Sequence, residues 1–192
     1  SSDVCSSDLL NVAVWALGGF FSSLAPSLVR AATGSTSHLI GGGLVAVVTL
    51  SGAVMIYSLR DRPADKVMRL SAVLLAVGVA LLLVAVQSAS LVLFFAASVI
   101  AGFGFGGGFM GSVRSIVGLA LPHERAGLMS AFYVLSYLAF CLPALLAGNL
   151  SHVYGLIVTT DGYGAVLILL ALGALVGLLM QDSARARATT GG

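Results

Sequence analysis

Six apolar stretches of membrane-spanning length constrain this chain more than any other feature in it. A bilayer core about 30 Å thick is crossed by roughly 20 apolar residues rising about 1.5 Å each. Stretches of that order occupy 10–29, 39–57, 70–86, 91–113, 126–148 and 163–180, and none of them contains Asp, Glu or Lys. Short polar connectors separate them at 30–38, 58–69, 87–90, 114–125 and 149–162. Lipid offers no partner to a backbone amide, so segments of this length close their hydrogen bonds as helices. Outer-membrane strands would alternate apolar and polar side chains over roughly ten residues, and no such alternation is present. The sequence therefore predicts an all-α membrane protein, a bundle of six transmembrane helices at 10–180 followed by a polar tail at 181–192.

Composition excludes the main alternatives. Of 192 residues 59% are hydrophobic and 8% charged, against about 25% charged in a soluble domain. A formal charge of +2 is too small to hold nucleic acid electrostatically. Cys5 and Cys141 cannot build a disulfide framework and have no zinc-site spacing. His38, His123 and His152 fall in connectors or at span ends, so no metal and no cofactor is expected. Basic residues in short loops favour the cytoplasm. With the N-terminus inside, the inner segments carry Arg60, Arg62, Lys66, Arg69, Arg114, Arg125, Arg185 and Arg187, and the outer ones carry Arg30 alone. Both ends are expected in the cytoplasm. The opening segment 1–9, SSDVCSSDL, has no initiating Met and no signal-peptide pattern. It looks like a translated sequencing adapter, and the chain is expected to be a fragment whose native N-terminal part lies upstream.

Three stretches then carry a resemblance. Asp61-Arg62-Pro63-Ala64-Asp65-Lys66 follows the second span and is similar to the cytoplasmic G-x-x-x-D-R-x-G-R-R motif of the major facilitator superfamily in its weaker second-half form. It departs from that motif at the glycine position, which is Tyr57, and at the Gly-Arg-Arg ending. The fourth span ends GFMGSVRSIVGLALPHERAG, and residues 130–148 read SAFYVLSYLAFCLPALLAG; these are similar to the tenth and eleventh helices of bacterial drug-efflux members. The chain thus resembles the C-terminal half, helices seven to twelve, of such a transporter. The resemblance implies two inverted three-helix repeats in the bacterial inner membrane. It also implies alternating access against a missing N-terminal six-helix half, around a small-molecule substrate that is partly apolar and exported.

Candidate residues follow from the spans. Binding sites in repeat-built transporters lie at discontinuous, Gly- or Pro-interrupted helices in corresponding positions. The first and fourth spans fit, and laying Gly18-Gly19-Phe20 on Gly107-Gly108-Phe109 also places Ser23 on Ser112. The third and sixth spans are almost wholly aliphatic and read as lipid-facing supports. Hence the first, fourth and fifth spans should line the path, with the second flanking it. Trp15, Phe20, Phe21, Phe109, Tyr133 and Tyr137 supply flat apolar surface with a few donors, as sites for small amphipathic molecules do. Taken singly, such rings are more often packing or interface anchors. Ser22 and Ser23 are polar path candidates that could instead bond back to their own helix. Gly104 and Gly108, like Gly107 and Gly111, are spaced to let helices approach closely. Gly102-x-Gly104-x-x-Gly107 also matches a dinucleotide pattern, but the preceding strand that such a site needs is absent. Pro26 and Pro143 are expected to kink their helices.

At the inner face Asp61, Arg62, Asp65 and Arg114 are candidates for a conformational latch or gate, the alternative being a solvated basic loop. Arg114 lies about 34 Å along its helix from Leu91, so its long side chain should reach the interface by snorkelling. No acid lies within the spans as drawn, so a proton-coupled mechanism would place its titrating carboxylate in the missing half. No nucleophile–base pair is present, so the chain is not expected to be an enzyme. The chief rival is a self-contained six-helix channel or scaffold acting as an oligomer.

Overall fold

The computed structural model describes residues 2–34, 38–119, 121 and 123–190. The side chains of Asp3, Cys5, His38, Arg185 and Arg187 lie outside the described set, as does Ser1. Seven α-helices account for nearly all of the described residues: α1 (Ser2–Ser23), α2 (Ala25–Thr33), α3 (His38–Leu59), α4 (Ala64–Gln87), α5 (Leu91–Leu119), α6 (Arg125–Tyr154) and α7 (Leu156–Thr190). No strand occurs among these residues. The helices α3 to α7 are each long and apolar enough to cross a membrane. A sixth crossing results if α1 and α2, bent by 42° at their junction, act as one broken span.

Several helix ends differ from the sequence-drawn boundaries: α4 begins at Ala64, six residues before 70, α5 runs on to Leu119, and α7 continues to Thr190 through the stretch drawn as a polar tail. The first stretch, drawn unbroken over 10–29, breaks at Leu24, between α1 and α2. Pro26 sits in the first turn of α2 and so begins a helix instead of kinking one from inside. The ring is tolerated there because the amide it lacks would have had no intrahelical partner. Helical structure also runs upstream through the segment 1–9 from Ser2, and Ser7 is buried. At the far end, the connector drawn at 149–162 is helical except at Gly155, whose φ of +86° separates α6 from α7. The sixth span accordingly starts at Leu156, not at 163, and it encloses Asp161. The expectation of acid-free spans therefore fails: an apolar-content window skips a lone carboxylate that the helix itself carries through. In the lengthened first span, Asp8 falls inside as well.

Packing follows an exchanged pattern. Span one (α1) packs on α6 and α7, while span four (α5) packs on α3 and α4. The pairs α1 with α5 and α4 with α7 meet between the two units. With α1 and α2 counted as one span, each three-span unit places its first helix in the arms of the other unit. Because three is odd, the two units run in opposite directions through the bundle.

Burial repeats with the same symmetry, at a shift of 88 positions (44 to 132). Leu44, Val48 and Ser51 of α3 are buried, and so are Phe132, Ser136 and Ala139 of α6. Leu10, Ala13, Ala16, Phe20, Leu24 and Leu28 are buried, as are Ser98, Ala101, Gly104, Gly108, Ser112 and Ile116. Contacts shift equally: a Cβ on Gly106 would collide with Gly52, and one on Gly18 would meet the Phe140 ring at 3.3 Å. Gly18-Gly19 therefore corresponds to Gly106-Gly107, and Ser23 to Gly111, one residue away from the register that sequence identity suggests. One residue turns a helix by about 100°, so burial decides the register where identity between two short Gly-Phe strings cannot.

Candidate functional site

Packing leaves one face of α1, α5 and α6 aromatic and partly open. Trp15 stands at its centre, with ring centroids 6.0 Å from Phe109, 5.4 Å from Tyr137 and 6.4 Å from Phe140. Phe109 reaches Phe132 at 6.4 Å, and Phe132 continues to Tyr133 at 5.7 Å. Tyr133 and Tyr137 stack along α6 at 6.4 Å, as residues four apart on one helix face do. Tyr137 is 59% exposed and Tyr133 39%, so the cluster forms a surface instead of a sealed core. Ser130 and Cys141 extend that exposed face along α6.

Beneath the rings lies a buried polar pair. Asn11 is fully buried, and its Nδ2 donates to Ser136 Oγ at 2.8 Å, tying α1 to α6. Ser136 Oγ in turn donates to the Phe132 carbonyl at 2.7 Å. The Asn11 Oδ1 and Trp15 Nε1 atoms are buried and unpartnered. Orphaned polar atoms in an apolar interior are costly unless something else satisfies them. Here an acceptor and a donor stand four residues apart on one helix, behind a half-open aromatic wall.

The structure brings Trp15, Phe109, Tyr133 and Tyr137 together and separates Phe20 and Phe21 from them. Phe20 and Phe21 are 1% and 2% exposed, and Phe20 packs on Tyr163 of α7 at 5.6 Å. These two rings are core, turned to the opposite side of α1. Ser22 and Ser23 donate to the Gly18 and Gly19 carbonyls at 2.9 and 2.8 Å, within their own helix. Sequence reasoning missed Asn11, Ser136, Phe132 and Phe140. Asn11 had a readable signal, a carboxamide one turn before the only Trp; Phe140 had one too, three residues after Tyr137.

The glycines of α5 act in packing. A Cβ on Gly104 would lie 2.6 Å from the Leu75 amide nitrogen, and one on Gly108 would lie 2.7 Å from Val14 Cγ2. At Gly107 it would meet Ser71 Oγ, and at Gly111 the Met68 side chain. Pro143 lies inside α6.

Near the C-terminal end of α5, Arg114 donates from Nη1 to the Arg62 carbonyl at 3.3 Å and from Nη2 to the Arg60 carbonyl at 2.5 Å. A guanidinium fork on the last carbonyls past a helix matches the negative end of its dipole. Arg114 thus ties α5 to the α3–α4 turn through backbone atoms. Arg62 takes part only by its carbonyl. Asp61 is 89% exposed and meets its neighbour Arg60 at 3.5 Å. Arg69 Nε donates to the Asp65 carbonyl at 3.3 Å. Among the described residues, no group of three or more His, Cys, Asp or Glu side chains is placed to hold a metal. No known family model matches this chain, and none of the curated proteins is similar to it.

Proposed function

We propose that this chain is one six-span half of a secondary transporter of the major facilitator type. In this reading it exports small, partly apolar molecules by alternating access, with its basic end in the cytoplasm. The observation that carries the reading is the exchanged packing of two opposed three-span units, repeated at 88 positions, which leaves the aromatic face of α1, α5 and α6 uncovered. Opposed repeats of this kind are how many transporters surround a central site. In this reading the open face is half of a cavity wall whose other half is supplied by a preceding six-span unit. Trp15, Tyr133 and Tyr137 bind the substrate's apolar body, and the Trp15 indole N–H waits for an acceptor. Arg114 holds the α3–α4 turn against α5 at the cytoplasmic end, in the role of a latch.

The test is to express the full reading frame that continues upstream of Leu10 and to assay it in inverted vesicles. Six further apolar spans are expected, with energised uptake of a fluorescent amphipathic dye that falls about tenfold in Trp15→Ala. A start codon just before Leu10, together with a chain that assembles into a stable conducting oligomer, would establish the channel reading in its place.

A further inference from the structure

The two units differ at the seam where the third helix of one meets the first helix of the other. Between α4 and α5, Gly78 admits Ala101, and Gly104 admits the Leu75 backbone. Those glycines draw the two helices together along far more of their length than α7 and α1 achieve. At the matching places, 88 positions away, α7 carries Val166 in place of Gly78, while Ala16 stands for Gly104 and Tyr163 for Leu75. At this level a groove of about 480 Å³ opens between α1, α6 and α7.

The groove has the chemistry of a hydrocarbon slot. Its walls include Leu142, Leu146, Val166 and Leu170. Of its three hydroxyl-bearing residues, Tyr154 stands at one end, and the two along the slot are satisfied inward: Thr159 donates to the Gly155 carbonyl at 2.8 Å, and Tyr163 donates to the Ala16 carbonyl at 2.7 Å. A polar solute would therefore find almost nothing to bond. The lining runs along α7 from Val158 to Leu170, about 18 Å at the helical rise, or somewhat more than one leaflet of a roughly 30 Å core. One end lies by Tyr154, beside the helix break at Gly155 and so at the membrane edge, and the other reaches Val12 of α1 near mid-bilayer. Leu142, Leu146 and Val166 are 54%, 61% and 56% exposed, so the slot is open sideways.

We propose that this groove is a lipid site: it takes one acyl chain of a bilayer phospholipid, which replaces the helix contact that the other unit makes through its glycines. The headgroup lies at the Tyr154 end and the chain tail beside Val12. The lipid acts as a removable filler between α1 and α7, distinct from the aromatic face.

Delipidated chain in detergent is incubated with a dipalmitoyl phosphatidylglycerol and examined by native mass spectrometry. A Cβ on Gly162, which lines the groove, meets nothing within 4 Å, and the same holds for Gly127 at the far end of α6. Gly162→Leu therefore adds bulk to the slot from an open position, Val166→Phe fills it from a second position, and Gly127→Leu is the control. Wild type and the control are expected to keep one lipid per chain, and each filled variant should retain it about tenfold less well. Equal retention by all four proteins, or none by wild type, overturns the proposal, as does a protein dimer in place of the lipid adduct. A melting curve for each variant shows whether it folds, and with two filling positions either one decides the matter. Retention is read without any transport, so this site can fail while the transporter reading stands, and the reverse.

Discussion

Asn11 and Ser136 illustrate how much one buried hydrogen bond can mean in an apolar bundle. Such interhelical bonds contribute about 0.6 kcal/mol on average in membranes, because the unfolded reference also finds partners. Stranding a partner costs more, about 1–3 kcal/mol. Ser136→Ala leaves the whole Asn11 amide unpaired and is expected to destabilise by that amount. Asn11→Leu removes both the bond and the orphaned Oδ1 and should be close to neutral; thermal unfolding of the two variants in detergent compares them directly. If Asn11→Leu proves near neutral in stability yet abolishes transport in the longer protein, the amide serves the substrate and not the fold. Ala89 is a second residue-scale case. It holds φ +48° after α4, where its own N–H reaches the Val86 carbonyl at 3.2 Å and the Ser90 N–H reaches Ala85 at 3.1 Å. That pair of bonds is a Schellman cap, a position glycine favours. Ala89→Gly is expected to raise stability by about 0.5–1 kcal/mol, the left-handed penalty less the greater freedom of unfolded glycine.

Helix pairs set the next scale, and here close approach decides. Gly106 lies so near Gly52 that no side chain fits between α3 and α5. Gly106→Ala should cost about 1–3 kcal/mol as the two helices are forced apart. Gly118 sits near the end of the same helix, where a Cβ meets nothing; Gly118→Ala should be neutral or gain about 0.5–1 kcal/mol from helix propensity. Chemical or thermal melts of the two variants separate packing from propensity. Arg114 links elements differently, by a charge on carbonyls at a helix end. Arg114→Gln should lower stability by about 0.5–1 kcal/mol, with Arg114→Lys in between, since an ammonium cannot fork across two carbonyls. A melt in which Arg114→Gln matches wild type would remove the tie between α5 and the α3–α4 turn from any account of a latch.

At the scale of the molecule, the question is what covers the aromatic face. Cys141 is exposed on it, which makes it a reporter. With Cys5→Ser as background, a water-soluble maleimide is expected to modify Cys141 readily in this chain alone. On the transporter reading, modification in the longer protein which that reading proposes should slow when an amphipathic substrate is present. Labelling that is absent in the lone chain would mean that lipid covers the face, and one substrate-independent rate in the longer protein would mean that the cavity lies elsewhere.

The sequence by itself determined that the chain is helical and crosses a membrane several times, because apolar length and the need to satisfy backbone amides are local properties. It also marked α1, α5 and α6 as the aromatic and polar helices, and it flagged the glycines at which α5 packs. What it could not decide was direction around each helix axis. Trp15 and Phe20 are equally aromatic in sequence, yet their positions along α1 turn one to an open face and the other into the core. The 88-residue register, the Asn11–Ser136 pair and the carbonyls under Arg114 join residues 52 to 125 positions apart, and no local pattern encodes which of them meet. Likewise the slot between α1 and α7 lies where three side chains are larger than their counterparts across the repeat. That difference acquires meaning only once tertiary packing shows which positions correspond.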